Sequence, residues 1–191
     1  MTRTLGRKFY DRPTLKVAKE LLGKYLMVHK DGHLLSGKIV ETEAYVGFKD
    51  PASHAHRGMT PRNEVMFGKP GHAYVYLTYG MHHCLNLVTQ KKGYPAAVLI
   101  RALEPVEGIQ LMKRRRGRRK LPDLTSGPAK LCQALGVDRK LNGADLCSDT
   151  IFVMDQGEAA GKIGCSGRIG IKEGKNKRWR FFIKGNQCVS R

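Results

Sequence analysis

Hydrophobic spacing divides this chain into an opening helix, several alternating segments and a set of short closing elements. Leu15, Ala18 and Leu21/Leu22 recur at helical spacing, so a helix is expected from Asp11 through Leu22, with Gly23 as its stop. Tyr25 to His29 reads as a strand, Asp31-Gly32 as a hairpin turn, and Leu34 to Tyr45 as the returning strand. Side chains alternate across a strand, which puts Glu41, Glu43 and Tyr45 on one face. Two carboxylates and a phenol together are expected to line a cleft or meet solvent. From Val46 to Pro70 the periodicity lapses, and a long functional or mobile loop is expected.

Alternation returns at Ala73 to Thr78, with Cys84 to Thr89 as partner strand and Tyr79-Gly80-Met81-His82 at the hairpin tip. Tyr74 and Tyr76 share one face of that hairpin, and Val75 and Leu77 the other. Ala96 to Leu103 reads as a buried strand carrying Arg101, followed by a helix over Val106 to Arg114. Ser126-Gly-Pro-Ala opens a further helix, with Ser126 as N-cap and Pro128 in the first turn. Ile151 to Met154, Arg168 to Lys172 and Trp179 to Lys184 read as short strands. No repeat or linker interrupts the 191 residues, so one mixed α/β (α+β) domain is expected over 1–191.

The hydrophobic fraction of 41% suffices for a core. No run approaches the ~20 apolar residues of a membrane span, and the N-terminus lacks a secretory apolar segment. A cytoplasmic protein is expected, nucleoid-associated if bacterial, with no membrane partner. The five cysteines are odd in number and form no CxxC pair, which argues against a disulfide framework or a cysteine zinc site.

Charge changes the picture more. A formal charge of +19 opposes compaction unless a partner uses it, and nucleic acid is the leading candidate. The run Lys113 to Lys120, KRRRGRRK, is either a solvated face or a phosphate contact. Against this background, residues 38–86 form an acidic and aromatic island. They hold Glu41 and Glu43, five of seven histidines and four of seven tyrosines.

A metal-dependent nuclease would need several clustered carboxylates, and only Glu41 and Glu43 cluster. The histidine pairs lack a matched ligand set at zinc spacing, so no metal or other cofactor is expected. Chemistry on an extruded base fits better. Such an enzyme holds its base by stacking and edge hydrogen bonds. Tyr45 and Tyr76 offer flat walls, Tyr79 at the hairpin tip could wedge into the gap, and Glu43 could activate a water that Arg101 helps to hold.

Five ordered blocks carry a resemblance: VETEAY (40–45), TPRNEVMF (60–67), KPGHAYVYLTYGM (69–81), LIRALEP (99–105) and SGPAKLCQAL (126–135). Together they closely resemble the alkyladenine DNA glycosylases, also called 3-methyladenine or methylpurine DNA glycosylases. The resemblance covers most of the chain and is densest over residues 38–135. It implies a single domain around a curved antiparallel sheet with a protruding hairpin and surrounding helices. It implies a monofunctional base-excision-repair enzyme without cofactor. Its partner would be double-stranded DNA containing damaged purines, and a monomer without an obligate protein partner is expected.

By the resemblance, Glu43 deprotonates the attacking water and Arg101 positions it, while Ile169, in Arg168-Ile169-Gly170-Ile171, supplies a main-chain carbonyl to it. Tyr45 and Tyr76 would stack the flipped base, and His54, nine residues after Tyr45, would donate its main-chain N–H to the purine. Asn86 would disfavour the two-amino group of guanine. Tyr79 would fill the vacated stack, with Met81 beside it at the point of intercalation. The chain departs from the mammalian pattern at His82-His83, at Phe48 to Ser53 and in KRRRGRRK. Two other readings remain open: a basic, non-catalytic nucleic-acid-binding protein, and a glycosylase-lyase using an amine such as Lys38.

Overall fold

The expected opening helix starts three residues later than Asp11, after Pro13. The computed structural model describes residues 3–118 and 120–190, and it begins with strand β1 (Arg3–Thr4) and a four-residue helix α1 (Arg7–Tyr10). Helix α2 (Thr14–Glu20) starts only after Pro13, whose ring disfavours helical backbone at the preceding residue. Strands β2 (Tyr25–Lys30) and β3 (His33–Val46) form the expected hairpin, and the 14-residue β3 is the spine of the sheet.

The chain continues through β4 (Ala73–Thr78), β5 (His82–Val88) and β6 (Ala96–Glu107). Helices α3 (Ile109–Arg116), α4 (Leu121–Thr125) and α5 (Pro128–Leu135) follow, then β7 (Ile151–Asp155), β8 (Ile163–Ser166) and β9 (Arg180–Ile183). Among the described residues these strands make one nine-stranded sheet in the order β1-β7-β2-β3-β6-β5-β4, with the β8–β9 hairpin joined to β3. Every pairing is antiparallel. The fold is thus the expected mixed α/β one.

Two elements depart from expectation. Strand β6 runs on to Glu107, past Pro105, where a helix was expected from Val106. Pro105 stands opposite Gly37 at a register shift, a place where its missing N–H is tolerated, and α3 begins only after the left-handed Gly108. Residues 168–172, expected as a strand, have no ladder partner; Gly170 turns there with φ +76. The segment instead reaches inward, as described below.

One face of the sheet carries the main core. Val75, Leu85, Leu87, Val98, Ile100 and Ala44 pack with Val17 and Ala18 of α2 and with Leu131 and Leu135 of α5. The opposite face presents Tyr74, Asn86, Leu99 and Glu43, which are ladder partners in sequence across β4, β5, β6 and β3. Residues 47–70 cover part of this second face, where Ala55 and Met66 pack against Tyr74, Val88 and Ala97. This segment is not structureless. The buried Asn63 donates from Nδ2 to the carbonyls of His54 and Gly58 at 2.9 and 3.0 Å, and its Oδ1 accepts from Thr60 N–H at 2.7 Å.

Candidate active site

Two compensating bulges between β3 and β6 build the charged centre. Ile39 stands opposite Leu103 and Glu41 opposite Ala102, which leaves Val40 unpaired on β3; Thr42 then stands opposite Ile100, which leaves Arg101 unpaired on β6. A bulge re-aims the extra residue's side chain. Here the Arg101 guanidinium lies between two carboxylates, with Nε 3.0 Å from Glu41 Oε1 and 3.5 Å from Glu43 Oε1.

Glu41 and Glu43 do share a face, but both are fully buried, at 0% exposure, rather than lining a cleft. Buried carboxylates survive only where donors satisfy them. Glu43 Oε1 accepts from the main-chain N–H of Ile169 at 2.7 Å, and Oε2 accepts from the Tyr45 hydroxyl at 2.9 Å. Burial is the largest influence on Glu43 and raises its proton affinity above the ordinary glutamate range. The Arg101 charge, the Ile169 N–H and the Tyr45 hydroxyl offset part of that rise. A carboxylate has about four lone-pair positions, so Oε2 can still accept a second bond.

In front of Glu43 lies a cavity of about 620 Å³. Its lining includes Tyr45, His54, Tyr76, Asn86, Arg101 and Ile169, six of the expected residues, with Tyr79 at its rim. Glu43 itself sits directly behind this lining, screened by Tyr45, Arg101 and Ile169, each of which touches it. The volume falls within the ~300–1,000 Å³ usual for small-molecule sites.

The aromatic side is a connected stack. The Tyr74 and Tyr76 rings lie 5.3 Å apart, and the His54 ring meets Tyr76 edge-on at 4.5 Å. A hydrogen bond of 3.0 Å links His54 Nδ1 and the Tyr74 hydroxyl. Crowding of the imidazole by protein, and then the Arg62 charge, hold His54 below the usual histidine value. Both influences favour the neutral ring. Asn86 donates from Nδ2 to the Tyr74 carbonyl at 3.2 Å, which fixes its amide on the cavity wall.

The hairpin tip has an unusual backbone. Tyr79 and Gly80 both have positive φ, +51 and +70, and Met81 N–H closes the turn onto Thr78 O at 3.2 Å. A non-glycine residue in that region is strained, by about 1–2 kcal/mol. Tyr79 is also 86% exposed. Met81 is exposed as well, but it does not reach the aromatic cavity. It lines a second cavity of about 590 Å³ with His82, His83 and Arg115, on the other side of the tip.

Several supporting residues gave no signal in the sequence. Arg168 is buried and donates to both oxygens of buried Asp50, at 2.5 and 2.7 Å, and to the Ala44 carbonyl at 2.9 Å. Its guanidinium lies 4.7 Å from the centre of the Tyr45 ring. Arg168 thereby backs the Tyr45 wall and anchors the backbone that presents Ile169 N–H to Glu43. The charge held against Asp50 also draws that carboxylate below its ordinary range, against its burial. No local pattern could pair residues 118 positions apart.

The family model of methylpurine-DNA glycosylase matches residues 8–187. A Methanocella arvoryzae protein named "Putative 3-methyladenine DNA glycosylase" is 53% identical over 191 residues, spanning 98% of this chain and 96% of the relative. Proteins with the same name from Carboxydothermus hydrogenoformans and Desulfitobacterium hafniense are 56% and 46% identical, each spanning 98% of both chains. With a family match over almost its whole length, the chain belongs to the methylpurine-DNA glycosylase family, DNA-repair hydrolases of N-glycosyl bonds.

Proposed function

We propose that this protein flips damaged purines out of duplex DNA into the aromatic cavity and hydrolyses their N-glycosidic bond. The substrates are of the 3-methyladenine, 7-methylguanine, hypoxanthine and ethenoadenine class. The observation that carries this reading is the buried Glu43 carboxylate, set directly behind an aromatic-walled cavity of about 620 Å³ and ligated by Tyr45, Ile169 and Arg101.

The flipped base stacks between Tyr45 and Tyr76, with His54 and Asn86 at its edges. Asn86 disfavours the two-amino group of guanine by its bulk, a barrier that the labile bond of a 7-methylated guanine offsets. Tyr79 fills the vacated position in the duplex, and Met81 supports it at the tip. Flipping costs a few kcal/mol, least for damaged or mispaired bases, and the inserted ring offsets part of that cost. The C1′–N9 bond then breaks, and its electron pair leaves on the purine. Water bonds to the oxocarbenium-like C1′ and gives its proton to Glu43, leaving an abasic site. The ionised carboxylate also favours positive charge at the sugar. Arg101 and the main chain at Ile169 orient the water. An alkylated base leaves without help because it already carries positive charge, whereas hypoxanthine needs protonation as it departs. A single flipped base needs one cavity, so the enzyme acts as a monomer.

Incubation with a duplex carrying one hypoxanthine tests this reading. The expected result is free base and an abasic strand, with no protein–DNA adduct after borohydride treatment. An adduct would instead identify an amine nucleophile, and binding without base release would identify a non-catalytic binder.

A further inference from the structure

Glu41 is a fully buried carboxylate that accepts four hydrogen bonds, and the proposed reaction gives it no task. Its Oε1 accepts from Arg101 Nε at 3.0 Å, Arg180 Nε at 2.6 Å and Ser190 Oγ at 2.8 Å, and its Oε2 accepts from Ser190 N–H at 2.7 Å. With four donors aimed at it, its lone-pair positions are taken up and leave none for a bound water. Arg180 is itself fixed, donating to Ser166 Oγ and to the Ser190 carbonyl, each at 3.0 Å. Arg101 Nη2 lies 3.3 Å from Ser190 Oγ. Residues from three separate parts of the chain, Arg101, Arg180 and Ser190, thus converge on one buried carboxylate only two positions from Glu43.

We propose that Glu41 is a positioning residue which, held by Arg180 and Ser190, takes a share of the Arg101 charge away from Glu43. The inference rests on the reading of Glu43 as the base. Two buried carboxylates face the buried guanidinium of Arg101 and the partly buried one of Arg180, so the charges of the quartet are matched two to two. Its balance is local, however. Arg101 lies nearer to Glu41 than to Glu43 by 0.5 Å, the difference between 3.0 and 3.5 Å. An arginine bound wholly to Glu43 would make that carboxylate a poor base, because an opposite charge at contact favours the ionised form. Sharing Arg101 loosens that hold and leaves Glu43 able to accept a proton.

Charged and titratable groups face Glu43 from several strands. Glu41 and Tyr45 flank it on β3, Arg101 faces it from β6, and Cys84 contributes from β5. Arg180 is its ladder partner on β9, and the Ile169 N–H approaches from the loop. The neighbouring Glu41 charge acts to raise the proton affinity of Glu43, and Arg101 acts to lower it. Altering Glu41 and altering Arg180 should therefore move Glu43 in opposite directions.

The test is the pH dependence of single-turnover base release from duplex carrying a 7-methylguanine. That base departs without protonation, so the acid limb reports Glu43 alone. In Glu41→Gln the limb should move to lower pH, because Arg101 then serves Glu43 only. In Arg180→Gln it should move to higher pH, because Glu41 then competes for Arg101 unopposed. Shifts of about one pH unit are expected for charges at this range. Arg180→Lys, which keeps the charge, should return the limb to its wild-type position. A purely structural role for Glu41 would lower the rate at every pH without moving the limb, and limbs that stay in place or move the same way overturn the inference. Should Glu41→Gln fail to fold, the Arg180 pair decides the matter by itself. Base release by Glu43→Gln would separately overturn the reading beneath it.

Discussion

Glu43 is held where its charge is costly, and that makes a stability prediction with a definite sign. Its folded-state proton affinity is raised, chiefly by burial. The native state therefore favours the protonated form more than the unfolded chain does. By linkage, the stability this group contributes is fully present below the ordinary glutamate range and is lost as pH rises through the folded value. At neutral pH the ionised group opposes folding. Glutamine can replace it without losing its bonds: the amide oxygen accepts from Ile169 N–H, and the amide nitrogen can donate to the Tyr45 oxygen. Glu43→Gln should therefore melt at a higher temperature than wild type at pH 7. The gap should close as the pH falls toward 4, and thermal melts at both pH values measure it. A gap of the same size at both would contradict the charge argument. A gain in stability beside a loss of function is the usual trade at a catalytic residue.

The β4–β5 hairpin carries at its tip a backbone that its own stability does not favour. The turn demands positive φ at two positions and supplies glycine at only one, so Tyr79 bears the strain with its ring in solvent. Asparagine tolerates this backbone better. Tyr79→Asn should keep or raise the melting temperature. It should also weaken flipping by about tenfold to a hundredfold, the ~1–3 kcal/mol of one stacked base. The fluorescence of a base analogue at the lesion reports that equilibrium, and Tyr79→Phe should restore it. Unchanged flipping in the asparagine variant would remove the wedge role. The hairpin was legible because alternation and a glycine turn are local signals. The same rule correctly placed Glu43 and Tyr45 on one face. It failed for residues 168–172, whose β-branched residues mimic a strand while Arg168 spends its bonds on Asp50 and Ala44. It failed again at β6, where a proline implied an end and a bulge carried the strand past it.

At the scale of the whole molecule, the excess of positive charge is not one surface. Part of the basic run turns inward. Arg115 donates to the Ala134 carbonyl, and Arg116 to the Leu124 carbonyl, so both tie α3 to its neighbours. Lys113 to Arg116 also stand in the last turn of that helix, where cations complement the helix dipole. Arg114, Arg118 and Lys120 are exposed and available to phosphate, and Arg119 lies outside the described residues. Composition could not separate these groups, because the division depends on which acceptors α4 and α5 bring near. The candidate site divides in the same way. Its aromatic and acidic members were visible in short blocks, whereas Asp50–Arg168 and Glu41–Arg180–Ser190 exist only through contacts across more than a hundred residues. All of this scaffolding converges on one carboxylate. The most direct test is therefore single-turnover base release by Glu43→Gln from lesion-containing duplex, with binding measured in parallel. The account predicts retained binding and a rate lower by about 10²–10⁴-fold, the usual contribution of a general base; a rate within a few fold of wild type would contradict it.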